Sequence, residues 1–287
     1  MARTAWISLT TDYGLADGFV AACHGVLARL APSARVIDVT HLVPPADVRR
    51  GAAVLAQTVP YLPVGVHVGV VDPGVGTSRR GIGLATPGGL LVGPDNGLLL
   101  DAAEALGGIT EAVELTNPAW LAPAVSRTFH GRDVFAPVAA RLALGAPLAE
   151  AGPAVEPATL VRLPAPVIRT EPDGFAAEVL TVDHFGNVQL AAPAGLLDGF
   201  PEQVRVVGPA DRQLHLGASD ATPRPEAVGE AVGGAVAVRG GTFDDAPAGE
   251  LVVYADSAGL VAVAVNTGRA ADRLGVRPGD VLTVTRG

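Results

Sequence analysis

Val66-His67-Val68-Gly69-Val70-Val71 runs directly into Asp72-Pro73-Gly74-Val75-Gly76-Thr77-Ser78-Arg79-Arg80. The first six residues are apolar apart from His67 and rich in β-branched side chains, as in a strand buried on both faces. The nine that follow mix turn-forming glycines with one acid and two arginines. A buried strand ending in a polar, glycine-rich loop fits an open α/β sheet, in which ligands bind beyond the strand ends.

The flanking sequence extends this pattern. Ala5 to Leu9 reads as a first strand. Asp17 can cap a helix whose apolar face is Phe19, Val20, Cys23, Val26, Leu27 and Leu30. Val36 to Val39 reads as a strand, and Asp47 caps a second helix through Thr58. Ile82 to Ala85 and Leu90 to Val92 flank a Pro87-Gly88-Gly89 turn, as in a hairpin. Asp133 stands at the cap of a helix over Val134 to Leu144, with Pro137 in its first turn, where proline costs little. The alternation predicts a layered α/β domain with a mainly parallel sheet over residues 1-150. Residues 151-166 read as a linker or crossover, in a stretch from Gly145 to Pro166 with five prolines. Beyond it short strands recur at Ala176–Val182, Gln203–Val207, Ala235–Val238, Leu251–Tyr254, Leu260–Val265 and Val281–Val284. A helical turn near Arg269 to Leu274 interrupts them. Residues 167-287 are therefore expected to form a small all-β, barrel-like domain.

Composition narrows the function. The chain has 287 residues, enough for two modest domains. With 49% hydrophobic and 17% charged residues it is not a disordered chain. Aromatics are only 4%, so Ala, Val and Leu must fill the core. The net charge is −9 and every basic residue is arginine. The lack of lysine excludes a Schiff base, a pyridoxal-phosphate anchor and a Walker A loop. An acidic chain with no basic tract is a poor nucleic-acid binder and suits a cationic small molecule. Cys23 alone allows neither an intrachain disulfide nor a cysteine metal cluster, and its place on an apolar helix face marks it as core. No N-terminal stretch resembles a signal peptide. The longest uncharged run, Gly51 to Val71, is broken by Gln57, Pro60, Pro63 and His67 and is no membrane span. A cytoplasmic protein is expected.

Five segments concentrate polar residues. In Thr10-Thr11-Asp12-Tyr13-Gly14, Asp12 either caps a turn or accepts hydrogen bonds from vicinal ribose-type hydroxyls. In the 72–80 loop, Asp72 and Arg79 can form a fixed ion pair, structural or functional. Gly93-Pro94-Asp95-Asn96-Gly97 is a turn that could line a pocket. In Thr128-Phe129-His130-Gly131-Arg132-Asp133, His130 can hold or pass a proton, with open space at Gly131. Val182-Asp183-His184-Phe185-Gly186-Asn187 is either an Asx-rich hairpin turn or a grip on an ammonium group (Asp183) and a carboxylate (Asn187). Asp256-Ser257-Ala258-Gly259 and Asn266-Thr267-Gly268 are turn-like. His24, His41, His67 and His215 read as structural. A metal set from Asp72, His130, Asp133 and His184 lacks any metal-ligand spacing, so no metal is expected.

Taken in order, the motifs Thr11-Asp12-Tyr13-Gly14, Asp38-Val39-Thr40-His41, Asp72 to Arg80, Gly93 to Gly97, Phe129 to Asp133 and Asp183 to Asn187 resemble the S-adenosyl-L-methionine hydrolases (adenosine-forming), or SAM hydroxide adenosyltransferases. These are relatives of the SAM-dependent fluorinase and chlorinase. The segment Asn266 to Gly275 fits as well, so the resemblance spans essentially the whole chain. It implies hydrolysis of S-adenosyl-L-methionine to adenosine and methionine, with no cofactor and no metal. It also implies a homotrimer whose active sites lie between subunits. The resemblance makes Asp72, Arg79 and His130 the water-activating trio and Asp12 the ribose ligand. It gives Asp183 and Asn187 to the methionine end, Ser257 to the amino-acid end, and the backbone at Asn266 and Thr267 to adenine. Halide transfer is disfavoured, because relatives that perform it place a serine in the halide pocket where this chain has His130-Gly131. A halide would also meet the carboxylate of Asp72. The alternative is a non-catalytic SAM- or adenosine-binding or sensing protein of the same fold. A peptide-binding module, suggested only by Leu274 to Leu282, rests on common turn grammar.

Overall fold

A computed structural model describes residues 5–208 and 234–287; His215 lies outside them. The chain divides into two compact units, 1–164 and 165–287.

In the first unit the elements are β1 (Trp6–Thr11), α1 (Phe19–Leu30), β2 (Arg35–Thr40), α2 (Val48–Thr58), β3 (Val66–Val70), β4 (Gly81–Thr86), β5 (Gly89–Pro94), α3 (Leu100–Ala105), β6 (Glu111–Glu114) and α4 (Ala136–Ala143). The sheet order is β2-β1-β3-β5-β4-β6. The first four strands are parallel. β4 runs antiparallel to β5 and to β6, the former through the expected hairpin. Helices α1 and α4 pack together on one side of the sheet and α2 against α3 on the other. Ile7, Leu9, Val68 and Val70 face the first pair. Leu84 and Leu91 face the second, with Leu55 and Ala102. Because both faces are covered, the central strands are apolar throughout instead of alternating. The buried polar exceptions on β1 and β3 are Ser8, Thr10, Thr11 and His67; Ser8 Oγ lies 2.9 Å from His67 Nδ1 and Thr11 Oγ1 2.8 Å from His41 Nδ1.

Two helix starts differ from expectation. Asp17 does not cap α1; Gly18 holds that position with no side-chain bond, and of the expected face Cys23, Val26 and Leu27 are buried. Asp133 is no cap either. It lies inside a π-helical turn, Gly131–Phe135, that feeds α4. Its carboxylate is taken by Ser126 N (2.8 Å) and the Arg132 guanidinium (2.6 and 2.9 Å). Asp47 does cap α2, accepting from Arg50 N at 2.9 Å. Much of the stretch read as a linker packs on the first unit. Ala154 bridges Val113, Val155 N donates to Ala112 O at 2.8 Å, and Val161 N donates to the buried Asp95 at 2.9 Å.

The second unit contains β7 (Ile168–Glu171), β8 (Gly174–Val182), β9 (Val188–Pro193), β10 (Gln203–Val207), β11 (Ala235–Arg239), β12 (Leu251–Ala255), β13 (Leu260–Val265), α5 (Ala270–Leu274) and β14 (Val281–Thr285). The order β14-β10-β11-β12-β13-β9-β8 closes on itself because β14 also pairs with β8. The result is a seven-stranded barrel, with β7 added as a hairpin on β8. Phe175, Val179, Leu190, Val204, Leu251 and Val263 fill its interior.

Candidate active site

Asp72 leaves the sheet just beyond β3. The loop then turns on itself, with Val75 N donating to Asp72 O and Thr77 N to Gly74 O, both at 3.2 Å. Gly76 needs to be glycine. Its φ is +77° and a Cβ would lie 2.2 Å from the Arg127 carbonyl oxygen. The turn brings Arg79 back over Asp72. Arg79 Nε donates to both carboxylate oxygens (3.0 and 3.1 Å), and Nη2 also donates to Oδ2. The same Nη2 lies 2.8 Å from His130 Nδ1. One guanidinium therefore joins Asp72 to His130, with its carbon 5.3 Å from the Phe135 ring centroid. Asp72 and Arg79 side chains are only 5% and 12% exposed, so the pair is screened little by water.

This arrangement fixes the histidine. Arginine only donates, so Nδ1 of His130 must accept and the single proton of the neutral ring sits on Nε2. Burial and then Arg79 hold the His130 pKa below the ordinary histidine value, while Asp72, Asp133 and a backbone hydrogen bond at Ser126 pull the other way.

Asp12 follows β1. Its Oδ2 accepts from Ala46 N at 2.9 Å, at a residue held in the left-handed region with φ +64°. Tyr13 was not singled out by the sequence, yet it packs edge-on against Phe129 (centroids 5.6 Å) and tilted against Phe19 (6.0 Å). Its hydroxyl stands over Gly131, where a Cβ would approach within 2.0 Å. Burial, Cys23, Asp12 and Asp72 all push its pKa up and Arg79 opposes them, so this phenol lies within electrostatic reach of both Asp12 and the trio. The open space expected beside Gly131 is thus filled by tyrosine.

In the second unit Asp183 and Asn187 meet across a turn at Gly186 (φ +86°). Asp183 Oδ1 accepts from Asn187 N and Oδ2 from Asn187 Nδ2, each at 2.8 Å. Tyr254 was also missed by the sequence reading. Its hydroxyl pKa is raised to about 12 by burial, Asp183 and Asp256, which puts these three groups together. Ser257 is exposed in the adjoining turn, which Asp256 shapes by accepting from Ala258 N (2.8 Å) and Leu260 N (2.9 Å). Asn266 is committed to the Ala246 carbonyl through Nδ2 (2.8 Å), and Thr267 is exposed with φ +63°. Of the carboxylates in the metal set weighed from the sequence, Asp72 is engaged by Arg79 and Asp133 by Arg132.

Among the described residues no helix is long and apolar enough to cross a membrane. The model of the SAM hydroxide adenosyltransferase N-terminal domain matches residues 7–152, and that of the C-terminal domain matches residues 177–283. The chain is 70% identical to a protein of Salinispora arenicola named (R)-S-adenosyl-L-methionine hydrolase, over the full length of both. It is 68% identical to one of the same name from Salinispora tropica, again over both full lengths. A solved structure of a conserved protein from Thermotoga maritima superposes with a TM-score of 0.83 at 36% identity, covering 97% of this chain and 99% of that one. Two domain models in order, and relatives matched end to end, leave one assignment: the chain belongs to the SAM hydroxide adenosyltransferase family.

Proposed function

We propose that this protein hydrolyses (R)-S-adenosyl-L-methionine to adenosine and L-methionine by attack of water at C5′, without a metal. The arginine that joins Asp72 to His130 carries this reading, supported by the full-length identity to hydrolases of that name. The sulfonium substrate brings its own leaving group. As the water oxygen bonds to C5′, the C5′–S bond breaks and its electron pair stays on sulfur, giving neutral methionine. No acid is needed at departure. The protein must place a water in line, exclude bulk solvent and take one proton.

The trio divides this work. His130 has its lone pair on Arg79, so it helps fix the site around the water rather than removing the water's proton. Arg79 holds the other two groups in place and stabilises negative charge as it develops on oxygen. Asp72 keeps lone pairs beyond those used by Arg79 and accepts the proton. Asp12, anchored by Ala46 N, has its second oxygen for the ribose hydroxyls. Asp183 and Asn187 bind the methionine end with Ser257, and the Asn266–Thr267 backbone faces adenine. The working form is a cytoplasmic homotrimer with active sites shared between subunits.

The test is incubation with S-adenosylmethionine in H₂¹⁸O, with products separated by liquid chromatography and mass detection, in parallel with chloride and fluoride. Label in the 5′-hydroxyl of adenosine, lost in Asp72→Ala and strongly reduced in His130→Ala, is expected. A 5′-halo product overturns the choice of nucleophile. No product, with nucleoside released on denaturation, overturns catalysis in favour of binding. Mass measurement in solution tests the trimer, and an active monomer overturns it.

A further inference from the structure

The Asp38-Val39-Thr40-His41 segment has no part in the chemistry above, yet its side chains converge with His24. We propose that His24, Asp38 and His41 form a binding site for a divalent transition-metal ion of the zinc class, separate from the hydrolytic trio. His24 Nε2 and His41 Nε2 lie 2.8 and 3.0 Å from the same oxygen, Asp38 Oδ1. One donor atom from each residue falls within 4.8 Å of the others, and this is the only such group of three among the described residues. Two imidazoles and a carboxylate are a donor set of borderline softness, suited to zinc, with a fourth position left for water.

His41 is the buried, fixed member of the set. Its side chain is only 4% exposed, and its Nε2 reaches Asp38 Oδ1 at 3.0 Å, which helps hold the Asp38 carboxyl below the usual carboxylate range. The other ring nitrogen is held by Thr11 Oγ1 at 2.8 Å. That is how a metal-ligating histidine is oriented, its second nitrogen tied to a neighbouring acceptor. A zinc ion on Nε2 requires the tautomer in which Nδ1–H donates to Thr11 Oγ1, and the ion would then stand in place of the Nε2–Asp38 contact. Tetrahedral zinc with bonds of about 2.0–2.2 Å needs the two Asp38–histidine separations, 2.8 and 3.0 Å, to widen by only about half an ångström. The His24 and Asp38 side chains, 37% and 42% exposed, have room to make that adjustment.

The site lies beside substrate-binding backbone without belonging to it. Thr11 precedes Asp12, and the His41 carbonyl accepts from Gly14 N at 2.7 Å. A bound ion ties α1 to the end of β2 and adds to the stability of this corner of the sheet without touching Asp12.

The experiment uses full-length protein stripped with chelator, then titrated with Zn²⁺ by calorimetry and with Co²⁺ by visible absorption, with bound metal counted by mass spectrometry. One equivalent of zinc, tetrahedral cobalt bands and a raised Tm are expected. Affinity should fall by about tenfold or more in His24→Ala and in Asp38→Asn. Both positions are partly exposed, so these variants keep the fold even if His41 variants do not. His24→Ala should also hydrolyse substrate at the unmodified rate, which separates failure here from failure of the hydrolase reading. Wild-type protein that retains no stoichiometric zinc, or variants that bind as tightly as wild type, would overturn the proposal.

Discussion

Replacing Gly131 by alanine tests the geometry of the candidate site through one methyl group. Gly131 lies in a π-helical turn with ordinary helical handedness, so alanine there carries no backbone strain. Intrinsic propensity favours alanine over glycine by about 1 kcal/mol in a helix. Sterics oppose it. The new Cβ would lie 2.0 Å from the Tyr13 hydroxyl oxygen, where ordinary contact begins near 3.4 Å. One of the two must therefore move by about 1.4 Å. Tyr13 cannot swing freely, because Phe19 and Phe129 hold its ring. Overpacking of this kind costs about 1–3 kcal/mol, and a Tm lower by roughly 2–12 °C is expected for a unit of this size. The displacement falls between Asp12 and His130, so kcat/KM should drop about 100-fold, as for an ångström of misplacement. Tyr13→Phe in the same background removes the closest atom and leaves Cζ at 2.9 Å. It should return more than half of the lost Tm, which a double-mutant cycle would register as coupling. Thermal melting and steady-state turnover read both effects. A Gly131→Ala protein with unchanged melting and turnover, or a loss that Tyr13→Phe does not relieve, would refute the reasoning.

Three further outcomes follow from the same coordinates. Arg79→Lys keeps a charge but cannot bond both oxygens of Asp72 and also reach His130; kcat should fall about 100-fold or more with little change in the circular dichroism melt. His67 is held neutral by burial, with its pKa lowered to about 4. Its contribution is fully present above the unfolded value near 6.5 and is lost as pH falls toward 4, about 3 kcal/mol in all; denaturant titrations of wild type and His67→Gln should converge over that window. Asn187→Ala removes the side-chain donor to Asp183 but leaves the backbone one, so KM for substrate should rise by roughly tenfold while kcat changes little.

The sequence showed most clearly what local chemistry dictates. Asp47 caps α2 because its side chain reaches Arg50 N within one turn, and the Pro87-Gly88-Gly89 hairpin follows from turn residues alone. Gln203–Val207 and Leu260–Val265 appear with their expected ends: the first alternates, burying Val204 and Val206, and the second is a nearly continuous buried run. β7, absent from the expected strands, lacks that signal. In β7 every residue of Ile-Arg-Thr-Glu is exposed, so pairing with β8 and not burial makes it a strand. Asp133 looked like a cap because acids precede helices; whether its carboxylate turns to the helix or to Ser126 depends on a loop fold that spacing does not encode. The same limit applies to Arg79 and His130, which meet across 51 positions of sequence. Their residue types suggested chemistry, but only folding reveals which nitrogen faces which. Tyr13 gave no signal of its own, because an aromatic between Asp12 and Gly14 reads as ordinary core until Gly131 is seen beneath it.

The closure of the second unit's barrel has a consequence for how that unit forms. β8 begins at Gly174 and its partner β14 ends at Thr285, so the seam joins segments more than a hundred residues apart. Until that seam is made, β8 and β10 each present an unpaired edge, and free edges are where chains add to one another. The first unit can form its parallel core from segments already synthesised. The barrel has to wait for nearly all of its own length, and its pairings are largely non-local, so it should fold more slowly. Until β14 is in place this unit is most open to self-association, and β14 is the strand that ends the exposure.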